Sequence, residues 1–190
     1  MNRTVMIVAG TRPELIKLAP VFWEFERRSV DYVFVWSGQH YDYELSRVFI
    51  EELKLPEPDF DLGVGSGSHA IQTAKAIIGV EEAIQRYGPS LTMALGDTNT
   101  VVATALASVK SLVPFAHVEA GLRSWNIAMP EEVNRKIADH IAQLLFTPST
   151  TATINVLAEG VERGRVFQTG NTIIDTLNRV MGVVDRHGSK

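Results

Sequence analysis

The chain has 190 residues, 45% hydrophobic and 21% charged, a balance that fits a folded domain with a substantial core and not a disordered segment. It has no cysteine, which excludes disulfides, thiolate catalysis and cysteine-based metal sites, and its net charge of −4 argues against a broad nucleic-acid surface while leaving room for a local anion site. No apolar run reaches membrane-spanning length, and the start is too short for a signal peptide, so a cytoplasmic protein with no membrane partner is the expectation.

Taken in chain order, Thr4–Ala9 is a β-branched apolar run ended by Gly10 and reads as a buried strand. Pro13 suits the first turn of a helix that runs to Arg28, with Leu15, Ile16, Ala19, Val21, Phe22 and Phe25 forming a broad apolar side. Asp31–Ser37 reads as a second strand, followed by a polar loop at Gln39 and His40 and a helix over Tyr43–Leu53. Pro56–Ser68, rich in proline and glycine, reads as loop. Helices over Ala70–Arg86, Thr98–Leu112, Pro130–Gln143, Thr151–Ala158 and Thr172–Val184 then alternate with strands over Leu91–Leu95, Pro114–Val118, Leu144–Thr147 and Arg165–Thr169. Apolar strands with little alternation, each followed by a helix, imply an α/β fold: a parallel sheet covered by helices on both faces.

In such a sheet ligands bind outside the carboxyl ends of the strands. The segments there are polar or glycine-rich: Gly10-Thr11-Arg12, Gly38-Gln39-His40, Gly96-Asp97-Thr98, Glu119-Ala120-Gly121, Pro148-Ser149 and Gly170-Asn171. Gly10 followed by Arg12 at a helix start favours a phosphate or diphosphate, though neither a P-loop nor a dinucleotide fingerprint is present; an ordinary turn with a surface arginine reads equally from the spacing. Asp97 reads as a general acid or base, as a ligand for sugar hydroxyls, or as the cap of the helix after it. Glu131 and Glu132 follow Pro130 and suit a first helical turn, but Met129 is a poor cap. Glu119 stands at a strand end with no helix to cap, which makes it a candidate for a raised pKa and proton transfer. Arg123 and Arg135 either pair with these acids or meet a phosphate. The histidines share no metal-ligand spacing with the acids, and neither a metal nor a cofactor is expected.

Five segments, GTRPELIKLAPV (Gly10–Val21), SGQHYD (Ser37–Asp42), GDTNTVVATALA (Gly96–Ala107), HVEAGLRSWNIAMPEEVNR (His117–Arg135) and TGNTIIDTL (Thr169–Leu177), together resemble the non-hydrolysing UDP-N-acetylglucosamine 2-epimerase family, in the same order over essentially the whole chain. The resemblance implies one half of a two-domain, glycosyltransferase-B-type fold, with residues 1–190 as the N-terminal Rossmann-like domain and a second nucleotide-binding domain absent. It implies interconversion of UDP-GlcNAc and UDP-ManNAc by elimination and re-addition of UDP, with exchange of the proton at C2. It places the family's catalytic carboxylates on Asp97, Glu119 and Glu131, its nucleotide-binding arginine on Arg12 and a motif lysine on Lys17. Gln39 and His40 match a loop that binds a second UDP-sugar in bacterial members, whereas the loop at Gly63–His69 and the compact connection after Arg123 look archaeal. A homodimer is implied as well. A hydrolysing 2-epimerase, a glycosyltransferase-type sugar-nucleotide domain and a non-catalytic dimerisation module are the competing readings.

Overall fold

The computed structural model describes residues 4–38 and 50–187. Among them, seven parallel strands form one sheet: β1 (Val5–Ala9), β2 (Tyr32–Trp36), β3 (Phe60–Asp61), β4 (Leu91–Leu95), β5 (Phe115–Val118), β6 (Leu144–Thr147) and β7 (Val166–Gln168). They lie side by side in the order β3-β2-β1-β4-β5-β6-β7. The connecting helices are α1 (Arg12–Arg28), α2 (His69–Tyr87), α3 (Asn99–Lys110), α4 (Pro130–Ile141), α5 (Thr150–Ala158) and α6 (Ile173–His187), with a 3-10 turn at Arg163–Arg165. The expected layered α/β architecture is borne out.

The apolar runs of the strands are explained by the two covered faces. Val5, Ile7 and Ala9 of β1 pack with Leu15, Leu18 and Phe22 of α1, while the alternate residues Met6 and Val8 pack with Val80, Ala83 and Ile84 of α2. A third cluster joins Phe115 and Leu145 to Ala105 of α3, Ala138 of α4 and Val156 of α5. Because α3 is enclosed by sheet and neighbouring helices, its inward positions are small: Ala103, Thr104, Ala105, Ala107 and Ser108 are all buried. The hydroxyls among them are satisfied locally, with Thr104 donating to the Thr100 carbonyl at 2.7 Å and Thr92 of β4 donating to Ser108 at 2.6 Å. Buried polar atoms in this layer therefore carry little desolvation cost.

Two expectations change. Pro56–Ser68 is not all loop: Phe60 and Asp61 form the edge strand β3, paired with Val35 and Trp36. Its two residues are too few to create an apolar run, so only the partner strand reveals it. Of the helix expected over Tyr43–Leu53, residues 50–53 are helical and the remainder lies outside the described residues, as do Gln39 and His40.

Candidate functional site

The connections of β1 and β4 leave in opposite directions, toward β2 and toward β5, so the carboxyl ends of these neighbouring strands open a crevice. A cleft of about 400 Å³ fills it, lined by Thr11 and Lys17 from the first turns of α1, by Asp97 and Thr98 after β4, and by Glu119 and Arg135. A smaller cavity of about 140 Å³ adjoins it across Thr11 and Thr98 and reaches toward Ser37 and Gly65. Gly10 allows the strand ends to meet: a Cβ there would stand 2.5 Å from the Ser37 hydroxyl and 2.6 Å from that of Thr100.

Two ion pairs face the cleft. Lys17, one turn into α1, donates to Glu119 at 2.7 and 2.9 Å. Asn171, just after β7, adds a third bond to the same carboxylate at 3.1 Å. What flanks the Glu119 side chain is a cation and an amide. Its backbone is left-handed at φ 68, unusual for a side chain of this size and a mark of strain held at a site. The neighbouring strands hold it there: Gly96 N–H donates to the Val118 carbonyl and Ala120 N–H to that of Phe146, each at 3.1 Å. The second pair joins Arg135 to Asp97 at 2.5 Å. Asp97 does not cap α3, since Thr98 occupies the cap position. The two pairs line the same cleft, and a Cβ on Gly96, the residue before Asp97, would lie 4.0 Å from the Glu119 carboxylate.

Other expected site residues stand elsewhere. Arg123 does not line the cleft; its side chain is 0% exposed, donating bidentately to Glu159 at 2.6 and 2.8 Å and to Asp139 at 2.7 Å. Of the two fates open to it, pairing with acids is the one realised, and its guanidinium is spent inside the fold. Arg135 also pairs with acids, yet it lines the cleft, and its buried Nε has no hydrogen-bond partner in the structure. Arg12 is exposed at the first residue of α1. Glu131 is half-buried and, among the described residues, enters no hydrogen bond or ion pair; it is not part of the cleft lining around Asp97 and Glu119. Its neighbour Glu132 is fully buried, accepting from Ser124 N–H and Oγ at 2.9 Å each, from Trp125 N–H at 3.2 Å and from Arg135 at 2.9 Å. Burial alone would raise its pKa, but these donors outweigh it and hold the carboxyl at about 2.

Glu14 is the residue that sequence reasoning passed over. Buried beneath the cleft, its carboxylate takes the backbone N–H groups of Gly10 and Thr11 at 2.7 and 2.9 Å and the Thr98 hydroxyl at 2.7 Å. Two amides expected to greet a phosphate are thus already filled from within, and anion binding at this turn falls to the remaining cations. The signal was present as the capping pair Thr11 and Glu14, three residues apart. Burial pushes the Glu14 carboxyl above the usual carboxylate range despite its donors. Among the described residues no cluster of three or more His, Cys, Asp or Glu side chains is placed to hold a metal ion, and no helix is long and apolar enough to cross a membrane.

Residues 24–189 match the family model described as UDP-N-acetylglucosamine 2-epimerase. The chain belongs to the UDP-N-acetylglucosamine 2-epimerase family. The curated UDP-N-acetylglucosamine 2-epimerase of Methanocaldococcus jannaschii is 42% identical over 181 residues, covering 95% of this epimerase-family chain and 50% of the relative. A crystal structure of the Methanocaldococcus jannaschii UDP-GlcNAc 2-epimerase in complex with UDP-GlcNAc and UDP superposes with a TM-score of 0.92 over 96% of this chain and 50% of that one. The UDP-2,3-diacetamido-2,3-dideoxy-D-glucuronate 2-epimerase of Pseudomonas aeruginosa is 37% identical over 90% of this chain and 49% of its own length. A lipopolysaccharide outer core galactosyltransferase, 12% identical with a TM-score of 0.64, shares the fold alone. The epimerase-family chain spans about half the length of the curated relatives it matches.

Proposed function

We propose that this chain is the N-terminal half of an enzyme that interconverts UDP-GlcNAc and UDP-ManNAc, and that a second domain closes the cleft from the other side. The observation that carries the reading is the convergence of two carboxylate–cation pairs, Lys17–Glu119 and Arg135–Asp97, at the mouth of the β1–β4 crevice. Epimerisation at C2 requires a base on one face of the sugar and an acid on the other. In the first step a carboxylate takes the C2 proton while the C1–oxygen bond breaks and its electron pair leaves with UDP. The product is 2-acetamidoglucal beside UDP. Protonation of C2 from the opposite face and return of the UDP oxygen to C1 complete the inversion.

Asp97 and Glu119 follow different strands, β4 and β5, and both line the cleft, which supports their assignment as the two proton-transfer groups. The adjacent ammonium and guanidinium shield charge that builds on the leaving diphosphate. Arg12, exposed at the start of α1, is assigned to the diphosphate, and Arg135, which lines the cleft, is a further cation there. Glu131 joins the catalytic set on the family match and on its side chain having no hydrogen-bond or ion-pair partner among the described residues. Gln39 and His40 are assigned to a second nucleotide, residues 1–190 to a homodimer interface as well as the site, and the protein to the cytoplasm and to synthesis of cell-surface polysaccharide.

The deciding experiment is turnover by the complete gene product in deuterated water. Deuterium at C2 of both sugar nucleotides is expected. Epimerisation without incorporation would overturn the elimination route, and free UDP released in stoichiometric amount would mark a hydrolysing enzyme instead. The Pseudomonas aeruginosa relative supports a second substrate reading with the same C2 chemistry, so the diacetamido glucuronate nucleotide belongs in the same assay.

A further inference from the structure

Behind the cleft lies a buried chain of charges that the proposed chemistry does not use. The His117 ring is 0% exposed on β5 and is held at both nitrogens, Nδ1 against an Asp139 oxygen at 2.6 Å and Nε2 against the Gly96 carbonyl at 2.8 Å. A carbonyl only accepts, so Nε2 carries a proton. Asp139 accepts at its other oxygen from Arg123 at 2.7 Å and from Gly121 N–H at 3.1 Å, which marks it as a carboxylate. Nδ1 therefore donates as well, and the ring is an imidazolium. Arg123 passes on to Glu159, so two buried cations alternate with two anions. Apolar neighbours of the ring are Phe115, stacked at 6.0 Å, and Leu145 opposite it in β6, and the Arg123 charge acts on it from beyond Asp139.

The anchoring points of this chain are the neighbours of the two cleft acids. Gly96 immediately precedes Asp97, and its carbonyl is tied to His117. His117 and Gly121 bracket Glu119, and both are tied to Asp139. One carboxylate on α4 thus sets the backbone of two strand-end turns, one of which is strained at Glu119. Charges so buried contribute little net stability, and conformational definition is the use that explains them. Burial opposes the ring's charge, but Asp139 and the Gly96 carbonyl raise its pKa overall, in keeping with the geometry.

We propose that Asp139, acting through His117, is the positioning residue that fixes Asp97 and Glu119 relative to each other. The inference rests on the reading of those two acids as the proton-transfer groups. It is tested in the complete protein by Asp139→Asn and His117→Gln, with Glu159→Gln at the far end of the chain as the comparison. Asp139→Asn is expected to lower kcat about 100-fold with KM changed only a few-fold, since misplacing a reacting group by about 1 Å has that effect. Glu159→Gln is expected to lower the melting temperature and leave kcat within twofold. Equal losses of kcat in both variants, or none in a folded Asp139→Asn protein, would overturn the proposal. Nitrogen NMR of the wild-type His117 ring at pH 8 is the readout that needs no turnover. Two protonated ring nitrogens are expected, and a bare Nδ1 would sink the idea even if the variants fail to fold. Should the wild type not epimerise at all, the functional reading fails while the ring measurement still judges the hub.

Discussion

At the scale of single residues, Glu131 and Glu132 show how much one position on a helix matters. Successive residues point about 100° apart, so one acid turns inward to Arg135, Ser124 and Trp125 while the side chain of the other has no partner among the described residues. The buried acids carry two opposite pH signatures. For Glu132 the folded pKa of about 2 lies below the ordinary 4.5, so its stabilisation is complete above pH 4.5 and is lost as pH falls toward 2. Glu132→Gln is expected to cost about 2 kcal/mol at pH 7 and to flatten that acid limb in urea unfolding; an unchanged limb would show that its donors do not hold the charge. For Glu14 the folded pKa lies above 4.5, so the folded state binds the proton more tightly and stability falls as pH rises from 4.5 through the raised value. Glu14→Gln keeps an acceptor for the Gly10 and Thr11 amides and should remove this slope. The same pH series reads it, and a slope that persists would assign it to another group.

At the scale of elements, the turn between β5 and α4 is shaped by contacts with a helix that comes later in the chain. Gly121 has φ 85, and a Cβ on it would meet the Ala152 carbonyl of α5 at 2.2 Å. Gly160 has φ 90, but a Cβ there meets nothing within 4 Å. Gly160→Ala is expected to cost about 1 kcal/mol for the left-handed backbone alone. Gly121→Ala adds overpacking against backbone and should cost at least about 3 kcal/mol. Equal losses of stability on chemical denaturation would mean that α5 moves aside. The elements themselves were mostly legible, because buried parallel strands and their covering helices leave continuous apolar runs closed by glycine and proline. The edge strand β3 was not, since two residues on a sheet margin have no apolar run and take their conformation from β2.

At the scale of the molecule, the chain is about half as long as its curated relatives. Residues 1–190 alone are expected to form no UDP-ManNAc from UDP-GlcNAc, and robust turnover by them would show that one wall suffices. Apart from the edge strand β3, the order of strands and helices, the crevice at the carboxyl ends and the family were determined by sequence, because apolar periodicity and strand-end motifs are local features of the chain. Which charges meet was decided only by the tertiary structure. Arg123 and Arg135 are alike in sequence, yet packing against Glu159 and Asp139 buries one while the β4 turn brings the other to Asp97. Likewise Lys17 and Glu119, 102 residues apart, become partners only when the fold brings α1 within reach of the residue after β5. Ion pairing depends on distances of a few ångströms between remote segments, and no local pattern encodes them.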